Sequence, residues 1–326
     1  MTPDGATPRS RRLVRIGALL GAVIVLATAV VVVRPGIALD VWRMATLRWH
    51  GARAGTTSVR GQEIAWAELG SGPPVLLVHG LRGELTIQLP LARALAERGY
   101  RVVALDLPGH GRSSAPREPL DIASAGRIAV ELSRELGMER PVLVGHSLGG
   151  WIVGWQTLSD PDAGRGAVLI STAGLPFELP RLSLLLSRTA GDARRSVRLL
   201  FAEPPRIVPL PVLWFAVQRP HAASLDLLRS AVSGRYLLDG LVSASAVPTL
   251  VVFGEQDRLV PPEVGREIAT SHRDARFAGI EGAGHMVVWE KPAEVAEAID
   301  AFILGLPATR PVDGEDAAPR SAPPGS

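Results

Sequence analysis

The stretch Pro141-Val-Leu-Val-Gly-His-Ser-Leu-Gly-Gly150 constrains the fold more than any other part of the sequence. Val142, Leu143 and Val144 are apolar without alternation. That is the pattern of a strand covered on both faces, as strands of parallel sheets are. The run ends at a glycine-flanked serine. Gly145 and Gly149 remove side chains where a strand turns sharply into a helix, and the residues from Leu148 to Trp155 read as that helix packed back on the sheet. Such an elbow pushes the Ser147 hydroxyl out above the sheet, which makes Ser147 a candidate nucleophile. Gly-x-Ser-x-Gly is a weak signal alone, so the rest of the chain has to support it.

The flanking segments alternate between strand and helix patterns. Thr56 to Leu69 reads as two short strands with a turn at Arg60-Gly61, and Val75 to Val78 as a doubly buried strand ending in His79-Gly80. A helix is predicted over Glu84 to Arg98, a strand over Arg101 to Asp106 and a helix over Asp121 to Leu136. Beyond the elbow, Ala167 to Ile170, Thr249 to Phe253 and Ala275 to Ile280 read as strands, and Pro292 to Leu304 as a helix. The fold class is α/β, a mostly parallel central sheet with helices on both faces. Residues 174–247 are too long for an ordinary connection and carry apolar clusters broken by prolines, so a helical cap is expected there, inserted after the strand at 167–170. The core then comprises residues 56–173 and 248–305. The cap would lie above the carboxyl ends of the strands, where open α/β sheets bind ligands.

A serine hydroxyl is a poor nucleophile until a histidine takes its proton and an acid fixes that histidine's tautomer. Gly254-Glu-Gln-Asp257 places Asp257 in a loop at a strand's carboxyl end, and Glu281-Gly-Ala-Gly-His285 follows the next strand. The chain order is serine, acid, histidine. His79, His110 and His146 lie inside turns, where structural hydrogen bonds are the expected role, and Asp106 at a strand end is expected to cap the following turn. His50, His221 and His272 lack metal-ligand spacing, so neither a metal nor a cofactor is expected.

Val78-His-Gly80, Asp106-Leu-Pro-Gly-His-Gly-Arg-Ser113, Gly145-His-Ser-Leu-Gly149, Gly254-Glu-Gln-Asp257 and Gly284-His285 together resemble the α/β-hydrolase superfamily, in particular its capped, esterase- or lipase-like members with a serine nucleophile. The resemblance spans about Thr56 to Leu304. It implies that Ser147 is the nucleophile, His285 the general base and then acid, and Asp257 the orienting carboxylate, while Glu255 comes two residues too early for that role. The backbone N–H groups of Leu81 and Leu148 would form the oxyanion hole, where one donor is typically worth about 3 to 4 kcal/mol. Serine at the elbow argues against the dehalogenases and epoxide hydrolases of this fold, which use aspartate there. Hydrolysis of a carboxylic ester with an apolar acyl or alcohol part is the leading expectation. Alternatives are carbon–carbon bond hydrolysis, for which Arg82, Arg181 or Arg188 would hold a substrate carboxylate, a perhydrolase, and a noncatalytic binding module on a membrane stalk.

The amino-terminal 55 residues carry the pattern of a membrane anchor. A basic segment, residues 1–15, gives way to the uncharged run 16–33. As a helix it would be about 27 Å long, close to the roughly 30 Å hydrocarbon core of a bilayer. An uncleaved single-pass anchor is favoured, with the catalytic domain on the extracytoplasmic side. The alternative is a secreted form released after signal cleavage near Gly36-Ile37-Ala38. Residues 34–55 would be a juxtamembrane linker, either an amphipathic helix on the membrane surface or a stalk packed on the domain. The net charge of +3 and the absence of a basic cluster interleaved with aromatics exclude a nucleic-acid partner. The absence of cysteine excludes disulfides and thiolate metal sites. Residues 306–326, rich in proline, alanine and charge, are expected to be disordered. The sequence leaves the oligomeric state open.

Overall fold

The computed structural model describes residues 15–16, 18–19, 21–22, 35–175, 189–204, 222–238 and 245–307. Helix α1 (Pro35–His50) leads into the hairpin β1 (Arg53–Val59) and β2 (Gln62–Leu69). Then come β3 (Pro74–Val78), a short 3-10 turn (Leu85–Gln88), α2 (Leu89–Ala96), β4 (Arg101–Leu105), α3 (Ile122–Glu135), β5 (Val142–His146), α4 (Leu148–Ser159) and β6 (Gly166–Ile170). Within the long interval lie α5 (Ala190–Leu200) and α6 (Ala222–Val232). The chain continues through β7 (Thr249–Gly254), α7 (Pro262–Ser271), β8 (Ala275–Ile280), α8 (Val287–Glu290) and α9 (Pro292–Leu304).

The strands form one eight-stranded sheet in the order β1-β2-β4-β3-β5-β6-β7-β8. β1 and β2 pair antiparallel, β2 joins β4 antiparallel, and every pair from β4 to β8 is parallel. The unalternating apolar runs now have their explanation. Leu76, Val78, Leu143, Leu169 and Phe253 pack into one hydrophobic cluster with α3 and α4, while Val75, Leu77, Val144, Val168 and Val252 pack into a second with α2 and α9. Successive side chains of a strand point to opposite faces, so a strand with a core on each side must be apolar at every position.

Two segments differ from the sequence-based reading, and a third takes a form it allowed. The helix predicted over Glu84 to Arg98 is two pieces, because Pro90 lacks an N–H and starts a new helix after the 3-10 turn. Residues 35–55, expected as a membrane-surface helix or a stalk packed on the domain, form α1 and the start of β1. Leu39, Arg43 and Leu47 are buried on one face of α1, while Ile37, Val41, Trp42, Met44 and Trp49 stay exposed. Helix α7 was not anticipated, since it offers only Val264 and Ile268 as large apolar residues to the core. Among the described residues no helix is long and apolar enough to cross a membrane. Most of the expected span 16–33, the tail from residue 308, and parts of the interval 174–247 lie outside the described residues.

Candidate active site

The elbow is tightly built. Ser147 adopts φ 55° and ψ −121° between β5 and α4. A non-glycine residue held in so sparsely populated a region costs about 1 to 3 kcal/mol, which the surroundings must supply. They do so through hydrogen bonds: the Ser147 N–H donates to Ile170 O at 2.8 Å and Thr172 Oγ1 donates to Ser147 O at 3.2 Å. The flanking glycines are sterically required. A Cβ on Gly145 would lie 2.1 Å from Gly149 O, and one on Gly149 would lie 2.2 Å from Val78 O.

The loops after β7 and β8 bring the other two expected residues to this point. His285 Nε2 lies 2.9 Å from Ser147 Oγ, and His285 Nδ1 lies 2.8 Å from Asp257 Oδ2. A carboxylate only accepts, so Nδ1 carries the proton and Nε2 is left as the acceptor facing the serine. Asp257 is fixed by the Leu259 and Val260 N–H groups, each donating to its Oδ1 at 2.9 Å. Glu255, the nearby alternative acid, is instead turned to Arg266 Nη2 at 2.7 Å. His285 and Asp257 are both buried, at 2% and 6% exposure. In this low-dielectric setting the hydrogen bond between them is stronger than it would be in water.

His146 and His79 act on backbone. His146 Nε2 donates to His285 O at 2.8 Å, so the residue before the serine holds the main chain of the candidate base. Burial, and next the neighbouring His285, push His146 down to about 4, so this donor is a neutral imidazole. The Leu107 N–H donates to His79 Nε2 at 3.0 Å, and His79 Nδ1 donates to Gly80 O at 2.8 Å. Asp106 accepts the Arg112 N–H of its own turn at 2.8 Å and also the Leu85 N–H at 2.7 Å. Burial, then the neighbouring Glu84 carboxylate, push Asp106 up to about 7.

Leu81 and Leu148 flank the serine from two elements. Leu148 opens α4, where the first amides of a helix have no partner within it. Leu81 follows Gly80, whose missing Cβ would sit 2.9 Å from Ser147 Cβ and 3.5 Å from its Oγ. The described helices of the 174–247 interval are tied to the same loops. The Met286 N–H donates to Leu200 O at 2.9 Å, and His110 Nε2 meets Ser224 Oγ of α6 at 2.7 Å. Sequence reasoning missed these ties and the part Glu290 plays in them. Its carboxylate accepts from both the Ala202 and Gly284 N–H groups, and nothing in its helical surroundings marks it. Of the three arginines considered for a substrate carboxylate, Arg82 is in the turn after Leu81, whereas Arg181 and Arg188 lie outside the described residues.

A parallel sheet with an antiparallel amino-terminal edge, and an elbow facing loop-borne acid and histidine side chains, define an enzyme of the α/β-hydrolase class. The chain belongs to the Alpha/beta hydrolase family, whose profile matches residues 75–298. It is 28% identical over 290 residues to an uncharacterized protein of Mycobacterium tuberculosis, covering 81% of this chain and 84% of that one. It is also 28% identical over 270 residues to Lipase 1 of Psychrobacter immobilis, covering 78% and 84% of the two chains. Among solved structures it resembles a membrane phospholipase A described as a novel bacterial virulence factor. That match has a TM-score of 0.71 and 29% identity, over 88% of this chain and 97% of that one.

Proposed function

We propose that the protein is a serine hydrolase that cleaves carboxylic esters with an apolar acyl or alcohol part, while held at a membrane by residues 16–33. The observation that carries this reading is the unbroken relay from Ser147 Oγ through His285 to Asp257, at 2.9 and 2.8 Å. The kinship to a lipase and to a membrane phospholipase supports the substrate class.

In this mechanism His285 Nε2 takes the Ser147 proton as Oγ attacks the ester carbonyl. Asp257 stabilises the imidazolium that forms. The Leu81 and Leu148 N–H groups receive the negative charge on the tetrahedral oxygen, helped by the positive end of α4. His285 then gives its proton to the leaving alcohol. Water, deprotonated by the same imidazole, releases the acid from the acyl-enzyme. Turnover of a panel of p-nitrophenyl esters tests the reading. Ser147→Ala should lower kcat by at least about 10⁴-fold and abolish labelling by a fluorophosphonate probe. A folded wild-type protein that the probe does not label would favour the noncatalytic binding module. Labelling without turnover of any ester would favour carbon–carbon bond cleavage.

A further inference from the structure

Arg43 is a charged side chain on a face of α1 that is otherwise buried through leucines, and it is 4% exposed. Its Nε donates to Glu84 Oε1 and Oε2 at 3.1 and 2.9 Å, Nη2 also donates to Oε2, and Nη1 reaches Asp40 Oδ1 at 3.0 Å. Glu84 is itself 2% exposed. Taking two opposed charges out of water is costly, and an apolar pair would hold a helix on the core at least as well. What such a pair adds is a fixed placement of the two segments that carry it.

The segment carrying Glu84 is the one that abuts the nucleophile. Glu84 directly follows the turn Gly80 to Gly83, closed by the Gly83 N–H donating to Gly80 O at 3.0 Å. A Cβ on Gly80 would lie 2.9 Å from Ser147 Cβ, so the turn passes close against the nucleophile, and Arg82 inside it has a positive φ of 57°. The turn is held at its entry by β3. At its exit the Glu84 carboxylate meets Arg43 and also accepts Thr86 Oγ1 at 2.5 Å, while the next N–H, of Leu85, is held by Asp106. Arg43 lies outside the stretch that matches the family profile, residues 75–298.

We infer that Arg43 is a positioning residue for the oxyanion hole: through Glu84 it sets the Gly80 to Gly83 turn, and with it the Leu81 N–H, against Ser147. The inference rests on the serine-hydrolase reading above. Two rates test it on the full-length protein in detergent: labelling by a fluorophosphonate, whose phosphoryl oxygen uses the same hole, and ester turnover per labelled site. Arg43→Ala should lower both labelling rate and kcat at least about tenfold with KM within about twofold, since small misplacements at a reacting centre are expensive. Arg43→Lys should restore part of the loss, and Trp42→Ala on the exposed face of α1 should change neither rate. If Arg43→Ala does not fold, Arg43→Met combined with Glu84→Gln leaves no buried charge unpaired and should show the same loss. Rates within about twofold of wild type in whichever of these folds would overturn the inference. So would an equal fall in Leu47→Ala, which loosens α1 without touching Glu84. A wild type that labels but cleaves no ester sinks the substrate reading alone, because the labelling rates still decide Arg43. One that never labels sinks both.

Discussion

His146 gives the native state a specific sensitivity to acid. Its ordinary value is 6.5, and burial lowers it to about 4 in the folded chain. Between those values the unfolded chain binds the extra proton, so the stability this group contributes is full above about pH 6.5 and is lost as pH falls toward 4. Asp106 works with the opposite sign: pushed up to about 7, it favours the folded state as pH falls from 7 toward the ordinary carboxylate range. Replacing His146 with Gln keeps an N–H donor for His285 O and leaves Asp106 in both proteins. Thermal unfolding midpoints should therefore fall more steeply from pH 6.5 to 4 in the wild type than in His146→Gln, and parallel curves would refute the assignment. At this scale the sequence was legible wherever chemistry demands a residue type at a strand's end, as at Ser147, Asp257 and His285. It was silent on Arg43 and Glu84, which are 41 residues apart, because nothing local to either distinguishes a buried ion pair from two solvated charges.

The elbow joins β5 to α4, and two glycines of α4 make opposite demands on a methyl group. A Cβ at Gly149 would meet the backbone oxygen of Val78 at 2.2 Å, so β3 and α4 would have to part. At Gly154, on the same helix, it would meet side chains alone, Leu238 at 3.0 Å and Leu169 at 3.6 Å. Gly149→Ala should then cost about 2 to 3 kcal/mol, as overpacking does, and slow phosphonate labelling. Gly154→Ala should stay within about 1 kcal/mol of wild type, its crowding offset by the gain in helix propensity. Urea midpoints of the two variants make the comparison, and equal losses would mean that the close approach at Gly149 is not what shapes the elbow. The strands were readable because two-sided burial forces continuous apolar runs such as Val75 to Val78. Helix α7 was not, since a short helix over one end of the sheet needs few apolar residues. The break before α2 was hidden by leucines that keep helical spacing across it while the backbone tightens into a 3-10 turn.

For the molecule as a whole, the sequence left open whether the segment after the apolar run is an amphipathic helix on the membrane surface or a stalk packed on the domain, and α1 is a helix with one face packed on the core and the other exposed. Leu39, Arg43 and Leu47 recur every four residues and face the core, a pattern that tertiary partners alone reveal. The other side exposes Ile37, Val41, Trp42, Met44 and Trp49, a run of large apolar residues on one helix. That surface begins where the run 16–33 ends, so an uncleaved anchor would bring it against the bilayer, with tryptophans at the depth where their amphipathic rings are favoured. Cleavage near Gly36-Ile37-Ala38 would instead remove the start of α1 and release the domain. A carboxyl-terminal tag on the full-length chain separates these outcomes. We expect the intact protein in the membrane pellet after an alkaline carbonate wash, with Trp42 and Trp49 less exposed to an aqueous quencher than in detergent-free, protease-released domain. A shortened protein in the soluble fraction would replace the anchor with a signal peptide and leave the site around Ser147 unchanged.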